Sequence, residues 1–108
     1  MNADVQYCMV LTTTGSAEQA EELAKKIVAN KLAACVQVQK IQSHYVWKGE
    51  VRNDDECLLF IKARTSQYQA LEDFIREHHA YETPEIVQLP ITAGFSGYLQ
   101  WMDGATEA

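Results

Sequence analysis

Chemically capable side chains are densest between His78 and Ile91, where His78, His79, Tyr81, Glu82 and Glu85 surround Pro84 in a single helix-to-strand connection. Polar groups gathered where a backbone must turn are what a rigid scaffold displays for binding. Nothing nearby supplies a nucleophile with an adjacent base, a phosphate-cradling glycine loop or an acid/base pair, and Glu50 and Glu85 are carboxylates without a demonstrable partner. The chemistry indicated is recognition, and the chain is read as a non-enzyme.

A second group of residues points the same way. Tyr45, Trp47, Tyr81 and Glu82 have the composition of a small-molecule cleft between subunits, amphipathic rings flanked by charge; the same rings would serve interface packing equally well. Arg52, Lys62 and Arg64 alternate along one strand, as an anion-holding row or as a solvated face. His78 shares an apolar helix face with Leu71, Phe74 and Ile75 and reads as a hydrogen-bonded core or interface histidine. His44 points away from Tyr45 and reads as surface. The absence of Cys-x-x-Cys and His-x-x-x-His spacings leaves a preformed tetrahedral zinc site within one chain unsupported.

The elements that must position these groups follow from periodicity. Tyr7 to Thr13 reads as a buried strand closed by Thr14-Gly15. Ser16-Ala17-Glu18-Gln19 has the form of a capping box, and Ala20, Leu23, Ala24, Ile27 and Val28 continue as one helical apolar face until about Asn30-Lys31. Ala34 to Trp47 is a long strand whose alternation slips at Lys40-Ile41, which predicts a β-bulge. Lys48-Gly49 predicts a tight hairpin, and the return strand runs from about Glu50 to Arg64. Its segment Cys57 to Ile61 is apolar on both faces, as in a central strand. Ser66-Gln67-Tyr68-Gln69 repeats the Ser-x-x-Gln start and predicts a second helix. Glu85 to Ile91 is a last strand that Pro90 assigns to an edge or terminates, and Phe95 to Met102 is a short packing helix.

This order, βαβ followed by βαβ, predicts an α+β ferredoxin-like double split βαβ fold: an antiparallel sheet, two main helices on one face and a short C-terminal helix. The 108 residues fit a single domain, 1–108. So small a chain cannot cover two long apolar strands alone, so self-association is expected. No apolar run approaches the roughly 20 residues that span a bilayer, so no membrane partner is expected. The net charge of -6 and nine scattered basic residues argue against nucleic acid. Cys8, Cys35 and Cys57 are odd in number, widely spaced and set in apolar runs, like buried thiols of a reducing compartment. Met1-Asn2-Ala3-Asp4 lacks the regions of a signal peptide, and a cytoplasmic location is expected.

Four separated segments resemble one family: Lys31-Leu32-Ala33-Ala34-Cys35-Val36, Ser43-His44-Tyr45-Val46-Trp47-Lys48-Gly49-Glu50, His79-Ala80-Tyr81-Glu82-Thr83-Pro84-Glu85 and Tyr98-Leu99-Gln100-Trp101 look like the CutA divalent-cation-tolerance proteins in order and spacing. The resemblance implies a homotrimer of ferredoxin-like subunits, a role in tolerance of copper and other divalent cations, no obligatory cofactor and no established catalysis. It also implies metal donors at Cys35 and His79. For Cys35 the thiolate is a soft ligand for Cu(I) or Zn, and the other reading is a small buried hydrophobe. For His79 the other reading is an imidazole that complements a helix C-terminus. Two departures bear on this: Ala80 stands where proline is common, and Thr12 where some metal-binding members carry cysteine, a hydroxyl being a poor ligand for a soft metal. The alternative function is a signalling trimer of similar architecture that holds a small anionic ligand in its inter-subunit clefts and acts through a protein partner.

Overall fold

The computed structural model describes residues 6–107, so the expectation drawn from Met1 to Asp4 lies outside the described residues. The chain forms strand β1 (Tyr7–Thr14), helix α1 (Ala17–Ala29), strands β2 (Cys35–Trp47) and β3 (Glu50–Arg64), helix α2 (Tyr68–His78), strand β4 (Val87–Ile91) and helix α3 (Ser96–Thr106). The strands make one sheet in the order β2-β3-β1-β4, every pair antiparallel. This is the double split βαβ arrangement, with β4 at an edge where Pro90 interrupts no interior ladder.

Each helix start has a local cause. Ser16 is the N-cap of α1, its Oγ accepting the Gln19 N–H at 3.1 Å, while Gln19 Oε1 accepts the Gly15 N–H at 3.2 Å. The helix ends at Asn30, and Lys31 takes the left-handed conformation with φ 57°. The second Ser-x-x-Gln does not cap α2. Thr65–Gln67 form a 3-10 turn instead, and α2 starts at Tyr68 without a side-chain cap. Thr65 N–H donates to the Gln6 carbonyl at 2.8 Å, so the chain leaving β3 is still tied to the sheet where a free N-cap would have to stand.

Alternation of side chains across the strands gives the sheet two faces. On one face Cys8 and Val10 of β1 join Leu59, Ile61 and Ala63 of β3 beneath Ala20, Leu23 and Ile27 of α1 and Leu71 and Ile75 of α2. Each buried Leu or Ile there contributes roughly 1.5 to 3 kcal/mol relative to exposure. On the second face α3 covers one end. Tyr7 O–H donates to Asp103 Oδ2 at 3.0 Å, Arg64 Nε donates to Thr106 Oγ1 at 2.8 Å, and Met102 is fully buried. With 11 residues, α3 is as long as α2 rather than a short appendage.

No bulge interrupts β2. Its register with β3 runs unbroken from Cys35↔Lys62 to Trp47↔Glu50. The slip in the sequence pattern reflects a change of covered face: Val36 and Val38 face the helices, whereas Ile41, Ser43, Tyr45 and Trp47 face the other side beyond the helices' reach. The turn at Lys48 (φ 50°) and Gly49 (φ 80°) is left-handed at both residues, as a two-residue hairpin with native twist requires.

Pairing with β1 reaches only Cys57, so residues 50 to 56 of β3 pair with β2 alone. The hairpin thus projects as a two-stranded ribbon about 20 Å long. Its tip exposes the cross-strand pair Val46 (68%) and Val51 (83%). A two-stranded ribbon is marginal in water without a packing partner.

Candidate functional site

Tyr45, Trp47, Tyr81 and Glu82, singled out in the sequence, meet at one place with Arg52 and Glu85. Where the ribbon leaves the body of the sheet, on the second face and at the end away from α3, the α2–β4 connection folds back over the strands. It leaves a cleft of about 770 Å³, within the range of small-molecule sites. Tyr45 and Trp47 of β2 and Arg52 and Glu56 of β3 form its floor, and Tyr81, Glu82 and Glu85 of the connection form its wall.

The connection is held by two links. The first is His79: its Nε2–H donates to the Thr13 carbonyl at 2.6 Å, and its Nδ1 accepts the Tyr81 N–H at 3.0 Å. Both ring nitrogens are therefore engaged, in the neutral Nε2–H tautomer. The second is Tyr81, whose O–H donates to Glu56 Oε2 at 2.7 Å and whose ring centroid lies 4.8 Å from that of His79. Burial and the hydrogen bond to Glu56 push the Tyr81 phenol well above its ordinary range. Gly15 leaves room for this ring, because a Cβ there would stand 3.2 Å from the Tyr81 hydroxyl. The Tyr45 O–H donates to Asp54, and that bond raises its phenol pKa as well.

Of the other candidates, His44 borders the cleft from β2, and the rest lie elsewhere. Cys35 begins β2 directly across from Lys62 and is partly buried, whereas Cys8 and Cys57 are closed inside. Thr13, which carries the His79 contact, pairs with Leu58 on the same strand β3. Lys62 and Leu58 are about 13 Å apart along that strand. Cys35 and His79 are therefore not neighbours within one chain, and among the described residues no three His, Cys, Asp or Glu side chains are grouped to hold a metal ion. Thr12 is fully buried on the helix-facing side with its hydroxyl unpartnered. His78 is hydrogen-bonded as expected, its Nδ1 2.9 Å from the Phe74 carbonyl, but it stands on the surface and not in the core. His44 is exposed and takes a contact from Asn53 Nδ2 at 2.9 Å. Lys62 and Arg64 lie under α3, so neither reaches the cleft. Arg52 is its one strongly basic lining residue, beside the carboxylates of Glu56, Glu82 and Glu85.

Sequence reasoning missed Asp54 and Glu56, the carboxylates that anchor both phenols. The signal was present: a two-residue turn at Lys48-Gly49 sets Tyr45 opposite Arg52 and Ser43 opposite Asp54, which puts Asp54 and Glu56 on the face of Tyr45.

Comparison with known proteins gives a consistent match along nearly the whole chain. A family model described as CutA1 divalent ion tolerance protein matches residues 8–105. The chain is 42% identical over 103 residues to the chloroplastic protein CutA of Arabidopsis thaliana, covering 94% of this chain and 57% of that protein. It is 38% identical over 98 residues to the divalent-cation tolerance protein CutA of Salmonella newport, covering 90% and 85%. The chain spans about half the length of the plant and animal relatives it matches. Among solved structures, the periplasmic divalent cation tolerance protein CutA from Archaeoglobus fulgidus superposes with a TM-score of 0.92 at 33% identity, covering 94% of this chain and 99% of that one.

Proposed function

Since the chain belongs to the CutA1 divalent ion tolerance family, we propose that it serves in tolerance of divalent cations as a homotrimer that takes up copper or another divalent ion, and not as an enzyme. The observation that carries this reading is the state of Cys35, the one free thiol of the three that is not closed in the interior. A thiolate is a soft ligand suited to Cu(I) or Zn. His79 is the second donor, and it offers Nδ1 to an ion when the Tyr81 N–H is displaced. Because Cys35 and the His79 contact are separated along the sheet, an ion that uses both donors draws them from two copies of the chain.

Trimer formation is supported by the unpaired ribbon of β2 and β3 and by the edge positions of β2 and β4, which are the surfaces a second copy would cover. A reducing compartment, the cytoplasm, is proposed from the three free cysteines.

Calorimetric titration with Cu(II), and with Cu(I) under reducing conditions, tests the reading on wild type, Cys35→Ser and His79→Ala. Reversible uptake that weakens in both variants and falls in acid, where imidazole and thiol carry protons, is the expected result. Wild-type uptake by both variants would remove these two donors from the function.

A further inference from the structure

Resting on the reading of His79 as an ion donor, we propose that the α2–β4 connection is an autoinhibitory latch on that donor, so that ion uptake at His79 and release of the Tyr81 turn are one coupled event. The first observation is what holds the ring. The Thr13 carbonyl accepts the Nε2–H at 2.6 Å, the kind of backbone contact that orients a ligating imidazole and leaves Nδ1 as the coordinating atom. That atom is already occupied, by the Tyr81 N–H at 3.0 Å. The single Nδ1 lone pair serves one partner at a time, so the N–H stands where an ion would bind.

The second observation is that this N–H cannot withdraw alone. Tyr81 is tied at its far end as well, its O–H donating to Glu56 Oε2 on β3 at 2.7 Å. Its ring lies close over Gly15, where a Cβ would stand 3.2 Å from the hydroxyl, and its centroid is 4.8 Å from that of His79. Drawing the amide off Nδ1 therefore pulls the ring against packed neighbours and strains the phenol bond. All these contacts lie within one chain, so the latch does not depend on which surfaces a trimer leaves open. Closed and open connections form a two-state element, and the ion binds the open one. Its apparent affinity is reduced by the open fraction, so weakening the latch tightens uptake. The phenol bond adds to the stability of the fold and subtracts from affinity for the ion.

The test measures Cu(I) affinity of the full chain by competition with a chromogenic chelator under reducing conditions, at about pH 8 where imidazole is unprotonated. Hydrogen exchange of the residue 81 amide is followed without and with copper. Tyr81→Phe should bind copper about fivefold more tightly than wild type, the factor that one partly exposed hydrogen bond is worth. Its residue 81 amide should exchange faster than that of wild type before any metal is added, and copper should remove the protection of this amide in wild type. Tyr45→Phe, which removes the neighbouring phenol bond to Asp54 and no tie to the connection, should leave copper affinity unchanged. Equal tightening in both variants, a Tyr81→Phe affinity at or below that of wild type, or an amide still protected in the copper-loaded protein would overturn the latch, and weakened uptake in His79→Ala would then leave the metal reading standing. Wild-type copper affinity in His79→Ala would overturn both.

Discussion

Replacing Tyr81 with Phe removes one oxygen and tests whether the cleft wall is latched to β3. The ring stays, so its packing near His79 and over Gly15 is preserved, and the change isolates the 2.7 Å hydrogen bond to Glu56. A hydrogen bond to a charged acceptor contributes roughly 1.5 to 3 kcal/mol when shielded from water. Tyr81 is 37% exposed, so water competes for both partners and the expected loss shrinks to about 1 kcal/mol. The sign of the pH dependence follows from the raised phenol pKa. A group whose pKa is raised by folding contributes its full stability below its unfolded value, near pH 10 for tyrosine, and loses it as pH rises toward the folded value. Wild type should therefore exceed Tyr81→Phe by about 1 kcal/mol at pH 7, and the gap should close above about pH 10. Urea unfolding at fixed protomer concentration measures both quantities. Equal midpoints at pH 7 together with equal slopes above pH 10 would mean that the phenol does not latch the wall.

The other predictions concern elements around the cleft. Ser16→Ala removes the cap of α1 and should cost about 1 kcal/mol in the same assay, with Ser16→Asp close to wild type. Gly49→Val forces a β-branched residue to φ 80° and should cost more than 1 kcal/mol, read as a drop in unfolding midpoint, while Lys48→Gly should be neutral or better. Trp47→Ala should weaken assembly more than copper uptake, up to about 3 to 5 kcal/mol if the ring is closed between subunits. Light scattering beside a copper titration separates the two effects, and an intact assembly with lost copper binding would reverse the assignment.

How far the sequence could be read depended on how local each determinant was. The Ser16 cap, the Lys48-Gly49 turn and the β3 limits at Glu50 and Arg64 rest on neighbouring residues, and all were legible. The slip at Lys40-Ile41 was misread as a bulge because periodicity reports which face is covered, and coverage here changes along an unbroken strand. Ser66 failed as a cap because a tertiary tie, Thr65 to Gln6, holds the preceding backbone to the sheet. Tyr45, Trp47, Tyr81 and Glu82, grouped in the sequence by chemical type, line one cleft. Their anchors Asp54 and Glu56 were hidden among ordinary surface charges, and only the hairpin register reveals the face they share with Tyr45.

The central claim, a trimer that takes up copper through Cys35, is tested most directly by native mass spectrometry of the tag-free protein after copper loading under reducing conditions. The account predicts a trimer mass that carries copper in wild type and the same trimer without copper in Cys35→Ser. A monomer, or a copper-loaded trimer in both proteins, would contradict it.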